Sequence, residues 1–205
     1  MSTLTIKKGK TFSKTIRWET APIVRKPITA INLSTGAPRL TVTGHGLTNG
    51  WRAYCYGIKG TTDLNAADAE KIKDSDYYEV TVIDTNTVEF NGVNAADFKA
   101  YVSGGFLAWN TPHDLSGYVC RAKIKTKAGG TLLLSTESGD TPLNLMTATV
   151  DDTAKAITLT IQATATEGLT WKKGSIEVEM ASPTGIVDQL ISPTQVVVED
   201  EIATN

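Results

Sequence analysis

His45, held between Gly44 and Gly46, is the side chain in this sequence whose chemistry is easiest to imagine. An imidazole in a glycine-punctuated loop is a candidate metal ligand or general base. Either role needs a second group, another histidine or a carboxylate at a defined spacing. The other histidine, His113, falls in what reads as a different domain, so His45 is expected to shape a turn through its hydrogen bonds. Asp63, Asp68, Asp74 and Asp76 make an acidic stretch, but they lack the regular spacing and central glycine of a calcium loop and read as solvated carboxylates. The run from Gly44 to Gly50 lacks the Gly-Lys-Ser/Thr ending of a phosphate cradle, and no serine or threonine stands in a nucleophile elbow. The residues therefore assign no catalytic group, no metal ligand and no cofactor site, and the chain is expected not to be an enzyme.

Two cysteines, Cys55 and Cys120, have no partner motif and cannot build a disulfide framework or a zinc site by themselves. Cys120 falls on the inward face of an alternating strand, the place of a buried reduced thiol. A net charge of -2 over 205 residues leaves no electrostatic footprint for nucleic acid. Basic residues gather from Arg121 to Lys127, but mostly on the outer side of that same strand, where a wet face or a subunit contact is expected. With 40% hydrophobic residues and no long apolar run, no membrane partner is expected, and the polar, alternating Met1 to Lys8 does not read as a signal peptide. The strongest recognition signal is aromatic: Trp51, Tyr54, Tyr56 and Trp109, because large rings dominate protein and carbohydrate contacts. The same four also suit the core of a small module, and two of them are expected inside.

Short strands must position these side chains. Trp109 to Lys125 organises the chain: it begins at a turn, then Tyr118, Cys120, Ala122 and Ile124 alternate with Val119, Arg121, Lys123 and Lys125. That is the period-two pattern of a strand with one buried face. Lys127 to Gly130 reads as a turn and Thr131 to Ser135 as the hairpin partner. Strands are also expected at Leu4–Ile6, Phe12–Trp18, Ala156–Ala163, Ile176–Met180, Ile186–Ile191 and Gln195–Val198, with Ser182 to Gly185 turning between two of them. In the middle of the chain Arg39–Thr43, Trp51–Ile58, Tyr77–Ile83 and Thr87–Phe90 read as strands, and Ser103-Gly104-Gly105 as a closing turn. Two copies of Asn-Ala-Ala-Asp, at Asn65 and Asn94, each place an N-cap residue before alanines and are expected to start a helical turn. Ala21-Pro22 and Lys26-Pro27 interrupt the segment after Trp18, since proline lacks the donor a ladder needs, and this reads as a linker.

Many short strands without a long amphipathic helix argue for an all-β chain built on an antiparallel, immunoglobulin-like β-sandwich. The middle of the chain is too long for a loop. Residues 1–27 and 108–205 are therefore expected to form one discontinuous sandwich, and 28–107 an inserted β-barrel-like module.

With those residues laid out, the chain resembles a family of virion proteins from tailed bacteriophages and prophages. The resemblance rests on Arg17-Trp18, on Pro112-His113-Asp114-Leu115-Ser116-Gly117-Tyr118 continuing to Arg121, on Trp171 ahead of Glu177-Val178-Glu179-Met180, and on Val196-Val197-Val198-Glu199. The middle region is similar to a small β module of phage structural proteins, through Gly44-His45-Gly46-Leu47, Asp84-Thr85-Asn86-Thr87 and Tyr101-Val102-Ser103-Gly104-Gly105. That module is related in fold to the first catalytic-cysteine half-domain of ubiquitin-activating enzymes, and no catalytic cysteine carries over to Cys55. The resemblance implies a structural protein of the tail, baseplate or neck. Its partners would be other virion proteins and fibres, it would be a homo-oligomer in the particle, and its location would be the virion, assembled in the bacterial cytoplasm. A receptor- or glycan-binding module of the tail and a capsid decoration protein are the alternatives.

Overall fold

The computed structural model describes residues 3–141 and 143–200; Met1 and Ser2, the start of the polar N-terminal stretch, lie outside them. Within those residues the chain is all-β, with one five-residue α-helix, Ala163–Glu167. Contacts divide it into two units: residues 1–18, 114–152 and 156–205, and residues 19–113 with 153–155. The second unit is wider at both ends than the 28–107 read from the sequence.

The chain opens in the first unit with β1 (Leu4–Lys7) and β2 (Phe12–Ile16). It then builds the second unit from β3 (Glu19–Pro27), β4 (Ala30–Asn32), β5 (Arg39–Thr41), β6 (Arg52–Lys59), β7 (Tyr78–Asp84), β8 (Thr87–Phe90) and β9 (Ser103–Pro112). The first unit resumes with β10 (Val119–Lys125), β11 (Leu132–Ser135), β12 (Met146–Asp151), β13 (Ala156–Ile161), β14 (Lys173–Ala181) and β15 (Val187–Glu199).

The first unit is a sandwich. A five-stranded sheet, β1-β15-β14-β10-β11, shares one core with a three-stranded sheet, β12-β13-β2. Pairing is antiparallel except where β1 runs parallel to β15. Cys120, Ala122 and Ile124 point inward from β10 and meet Ile157, Leu159 and Ile161 of β13 in that core. The last three are completely buried, each contributing roughly 1.5–3 kcal/mol. The hairpin at Ser182 to Gly185 closes through Gly185 N–H to Ser182 O, 3.0 Å. Ile186–Ile191 and Gln195–Val198, expected as two strands, are one, β15. Pro193 is tolerated inside it because the ladder to β14 shifts register there, and because β1 covers only Val196 to Glu199 on the other side.

The second unit is a single seven-stranded sheet in the order β3-β9-β6-β7-β8-β5-β4. β3 and β4 stand at opposite ends of that order, yet only Ile28 and Thr29 separate them. From Pro27 to Ala30 the chain reaches at most about 11 Å, so the sheet curls until its two edges meet. Ile28 N–H still bonds Gly105 O of β9, and Thr29 N–H already bonds Thr41 O of β5. Inside the curl lies a separate core built around Leu40, Trp51, Cys55, Val80, Val88, Phe90, Leu107 and Trp109.

Three expectations are corrected in this unit. The supposed linker is β3, paired with β9 from Glu19–Pro112 to Pro27–Phe106, with a register shift between Thr20 and Ile23 around the cis Ala21–Pro22 bond. β3 ends the sheet order, where a strand without donors at Pro22 and Pro27 costs least. The first Asn-Ala-Ala-Asp copy does not start a helical turn. Asn65 turns its amide back onto Ile58, accepting from Ile58 N–H at 2.9 Å and donating to Ile58 O at 3.0 Å. Asn94 does cap a single turn, accepting from Ala96 N–H while Phe98 N–H bonds Ala95 O at 3.1 Å. Ser103-Gly104-Gly105 is the start of β9, not a closing turn. Gly105 has φ +93°, and a Cβ there would lie 2.5 Å from Ile58 Cγ1, so glycine lets β9 press against β6.

Candidate interaction surfaces

His45 is 3% exposed and bonds at both ring nitrogens. Leu47 N–H donates to Nδ1 at 3.0 Å, and Nε2 lies 2.8 Å from Asp84 O. An imidazole that accepts at Nδ1 carries its proton on Nε2 and donates it to the carbonyl. The ring thus ties its own loop to the end of β7, the turn-shaping role read from the sequence. The nearby acidic residues are engaged locally: Asp68 accepts from Glu70 N–H, Asp76 from Lys73 N–H, and Asp74 pairs with Arg52. Among the described residues no group of three or more His, Cys, Asp or Glu is placed to hold a metal ion. Cys55 and Cys120 are both free and buried. Burial pushes the Cys55 thiol far up and the Cys120 thiol up to about 11.

Of the four aromatic candidates, three are buried, and two of these, Trp51 and Trp109, belong to the core inside the curl. Trp51 is wholly buried, its Nε1–H donating to Asn110 O at 2.9 Å, and Tyr54 and Trp109 are also buried. β6 and β9 turn the two tryptophans into the core, whereas Tyr54 lies on the opposite side of β6, covered there by Tyr56 and Tyr77. Tyr56 alone is half-exposed. It stacks on Phe106 of β9, ring centroids 5.5 Å apart and planes 18° apart, and Phe106 is 42% exposed. Residues paired across neighbouring strands share one side of a sheet. By that rule Pro27, Phe106 and Tyr56 form one level of the outer face, and Arg25, Ala108 and Tyr54 the next. The result is a flat aromatic platform with a guanidinium beside it. Burial raises the Tyr54 hydroxyl's pKa, and the Arg25 charge offsets that rise only in part. Phe106 and Arg25 were missed from the sequence because Ala108 and Asn110 disguise the outward alternation of β9.

Below the platform a second constellation closes the neck of the unit, where the chain enters and leaves. Arg52 grips Glu19 with two bonds, Nε to Oε1 at 2.5 Å and a terminal nitrogen to Oε2 at 3.1 Å, and reaches Asp74 at 3.1 Å. Its guanidinium carbon lies 4.3 Å from the centre of the Tyr77 ring. Asn110 Nδ2 donates to the same Glu19 carboxylate at 2.8 Å. The Glu19 bond holds the Arg52 pKa above its ordinary value. One charged knot therefore ties β3, β6 and β9 together.

In the sandwich, Arg121 and Lys123 on the outer side of β10 stand among carboxylates. Arg121 stands directly across from Glu179 on β14 and Lys123 across from Glu177, and both cations also reach Glu137. Lys123 pairs in addition with Asp140 at 3.1 Å. Ser135, a fully buried hydroxyl, donates to the same Asp140 carboxylate at 2.6 Å and accepts from Glu137 N–H. The Ser135 bond, then Lys123, hold Asp140 below the usual carboxylate range. These groups fold the loop after β11 over the sheet.

The residues behind the family resemblance are also placed. Trp18 and Tyr118 meet edge to face, centroids 5.5 Å apart and planes at 87°. They belong to segments separated by the whole inserted unit. No protein-family model matches the chain, and no curated protein matches it. No helix among the described residues is long and apolar enough to cross a membrane.

Proposed function

We propose that the chain is a non-enzymatic structural protein of a tailed-phage virion. The sandwich docks on a symmetric ring of the tail, baseplate or neck, and the inserted unit connects that ring to a neighbouring subunit or a fibre. The observation that carries this reading is the Trp18–Tyr118 contact. The Arg-Trp and Pro-x-Asp-Leu-Ser-Gly-Tyr segments, on which the likeness to phage virion proteins rests, lie about a hundred residues apart in sequence and make one packed corner of the sandwich. A motif split by an insertion keeps its spatial meaning when the insertion is hung on adjacent strands, and β3 and β9 are adjacent. The test is composition of purified particles by mass spectrometry, followed by a cryo-EM map. The protein is expected in stoichiometric amount in one ring, and its absence from particles sinks the reading.

A glycan-binding role in the tail is favoured by one observation, the Tyr56–Phe106 platform with Arg25 beside it. Sugar rings stack on such flat apolar faces while guanidinium groups bond their hydroxyls. Glycan-array binding that disappears in Phe106→Ala, at an exposed position whose loss spares the core, would support this second reading over pure assembly.

A further inference from the structure

We propose that the outer face of the five-stranded sheet is a two-fold contact between two copies of this chain. Residues paired across antiparallel strands lie at one level and on one side of the sheet. On the outer side of β10 and β14 the levels read Val119 beside Ala181, Arg121 beside Glu179, and Lys123 beside Glu177. β10 is a column of cations and β14 a column of anions. Consider a two-fold axis lying in this face, parallel to the strands and midway between them. It sets each residue of β10 against its own cross-strand partner in the second copy. Arg121 then faces Glu179 of the second copy and Lys123 faces Glu177 of the second copy, with the reciprocal pairs on the other side. The face is electrostatically complementary to itself. Within one copy both cations also meet Glu137, and Lys123 meets the partly buried Asp140. Pairs this close to the surface contribute little and leave both cations able to take a second carboxylate.

Shape follows the same axis. One level of the face is apolar from strand to strand: Val119, Ala181 and Val187 are neighbours in register. Val119 is 57% and Val187 48% exposed, and Ile186 beside them is 63% exposed. Scattered surface apolar groups need no explanation, but a contiguous row rimmed by charge marks a contact surface. On the other side of β10, at this level, the loop after β11 leaves an open hollow of about 560 Å³ with Val119 and Cys120 in its lining, together with Arg121, Glu137, Ser138 and Asp140. Val187 lies one strand outside β14 and the hollow one strand outside β10. The axis that pairs the charged columns therefore also brings Ile186 and Val187 of each copy over the hollow of the other. This contact holds whether or not the chain belongs to a virion.

Sedimentation of the full chain from about 10 µM to about 500 µM reads the equilibrium directly, as the expected affinity is that of a small, charge-rich interface. A concentration-dependent dimer is expected, weakened roughly tenfold when salt rises from about 0.05 M to about 0.5 M. Val187→Glu, at an exposed position, is expected to weaken it by at least about tenfold with an unchanged thermal melt. The diagnostic step uses two charge-reversed chains, R121E/K123E with two acidic columns and E177K/E179K with two basic ones. Each alone is expected to be a monomer, and an equimolar mixture is expected to form a one-to-one heterodimer by native mass spectrometry. A wild-type chain that stays monomeric throughout the range overturns the proposal. So does a dimer that persists in Val187→Glu or in both charge-reversed chains, because the copies then meet elsewhere. If a charge-reversed chain does not fold, the wild-type and Val187→Glu measurements decide the matter alone.

Discussion

His45 accepts a hydrogen bond at one ring nitrogen and donates one at the other, so its geometry commits the ring to a single neutral tautomer. Nitrogen NMR should show the proton on Nε2, and His45→Ala should cost about 1–3 kcal/mol in a urea melt by stranding the Leu47 donor and the Asp84 carbonyl. An unchanged midpoint would mean the ring does not brace the loop. Trp51→Ala, which looks from the sequence like a binding mutant, should instead destabilise the inserted unit by about 3–5 kcal/mol, because the ring is wholly buried. Phe106→Ala separates recognition from folding where Trp51→Ala cannot. Both thiols have pKa values raised by burial, so little thiolate exists at neutral pH. Neither should react with a thiol reagent at pH 7 until the protein is unfolded, and fast labelling of the native chain would contradict the burial. At this scale the sequence was informative where neighbours constrained a residue, as Gly44 and Gly46 do for His45. It was uninformative for the rings, since an aromatic on a strand has the same spelling whether it faces in or out.

β10, β13 and β14 were legible because each alternates cleanly over six or more residues. β12 was not, although Met146, Ala148 and Val150 alternate with Thr147, Thr149 and Asp151. Alanine gives weak contrast, and the polar stretch before it reads as continuing loop. β3 was hidden by its prolines, which local rules treat as breakers and which an edge position excuses. Asn65 misled for a related reason: the side chain suited to cap a helix is equally suited to imitate a strand's backbone, and only the fold brings Ile58 within its reach. Close approach of elements yields a sharper test at Gly60, where φ is +94° and a Cβ would stand 2.1 Å from Ala100 O. Gly60→Ala should destabilise the inserted unit by more than about 2 kcal/mol in calorimetry, a backbone effect with no lost contact. The loop after β11 carries its own pH signature. The folded carboxyl of Asp140 titrates below its unfolded value of about 3.9. Its contribution is therefore complete above that value and fades as pH falls through the lower folded one. Asp140→Asn should flatten the acid limb of the stability curve below about pH 4, and an unaltered limb would remove the Ser135–Asp140 bond from the account.

At the scale of the whole molecule there are two cores, one in each unit. Removing 28–107 would leave β3 and the end of β9 as paired strands with no sheet to join. The cut that respects the contacts removes Glu19 to His113 and joins Trp18 to Asp114 through a short glycine linker. That sandwich should fold, with dispersed NMR signals and a cooperative melt, and residues 19–113 expressed alone should do the same. Failure of both halves would mean that each core depends on the other.

Glu19 and Pro112 are register partners, so the inserted unit begins and ends on neighbouring strands, about 5 Å apart at their α-carbons. An opening one ladder step wide sets a single requirement on whatever is inserted there, that its two ends lie side by side. A foreign domain with adjacent termini meets that requirement and should span the same gap. The joint between Trp18 and Asp114 is thus a ready grafting site, a socket where new cargo can be plugged in.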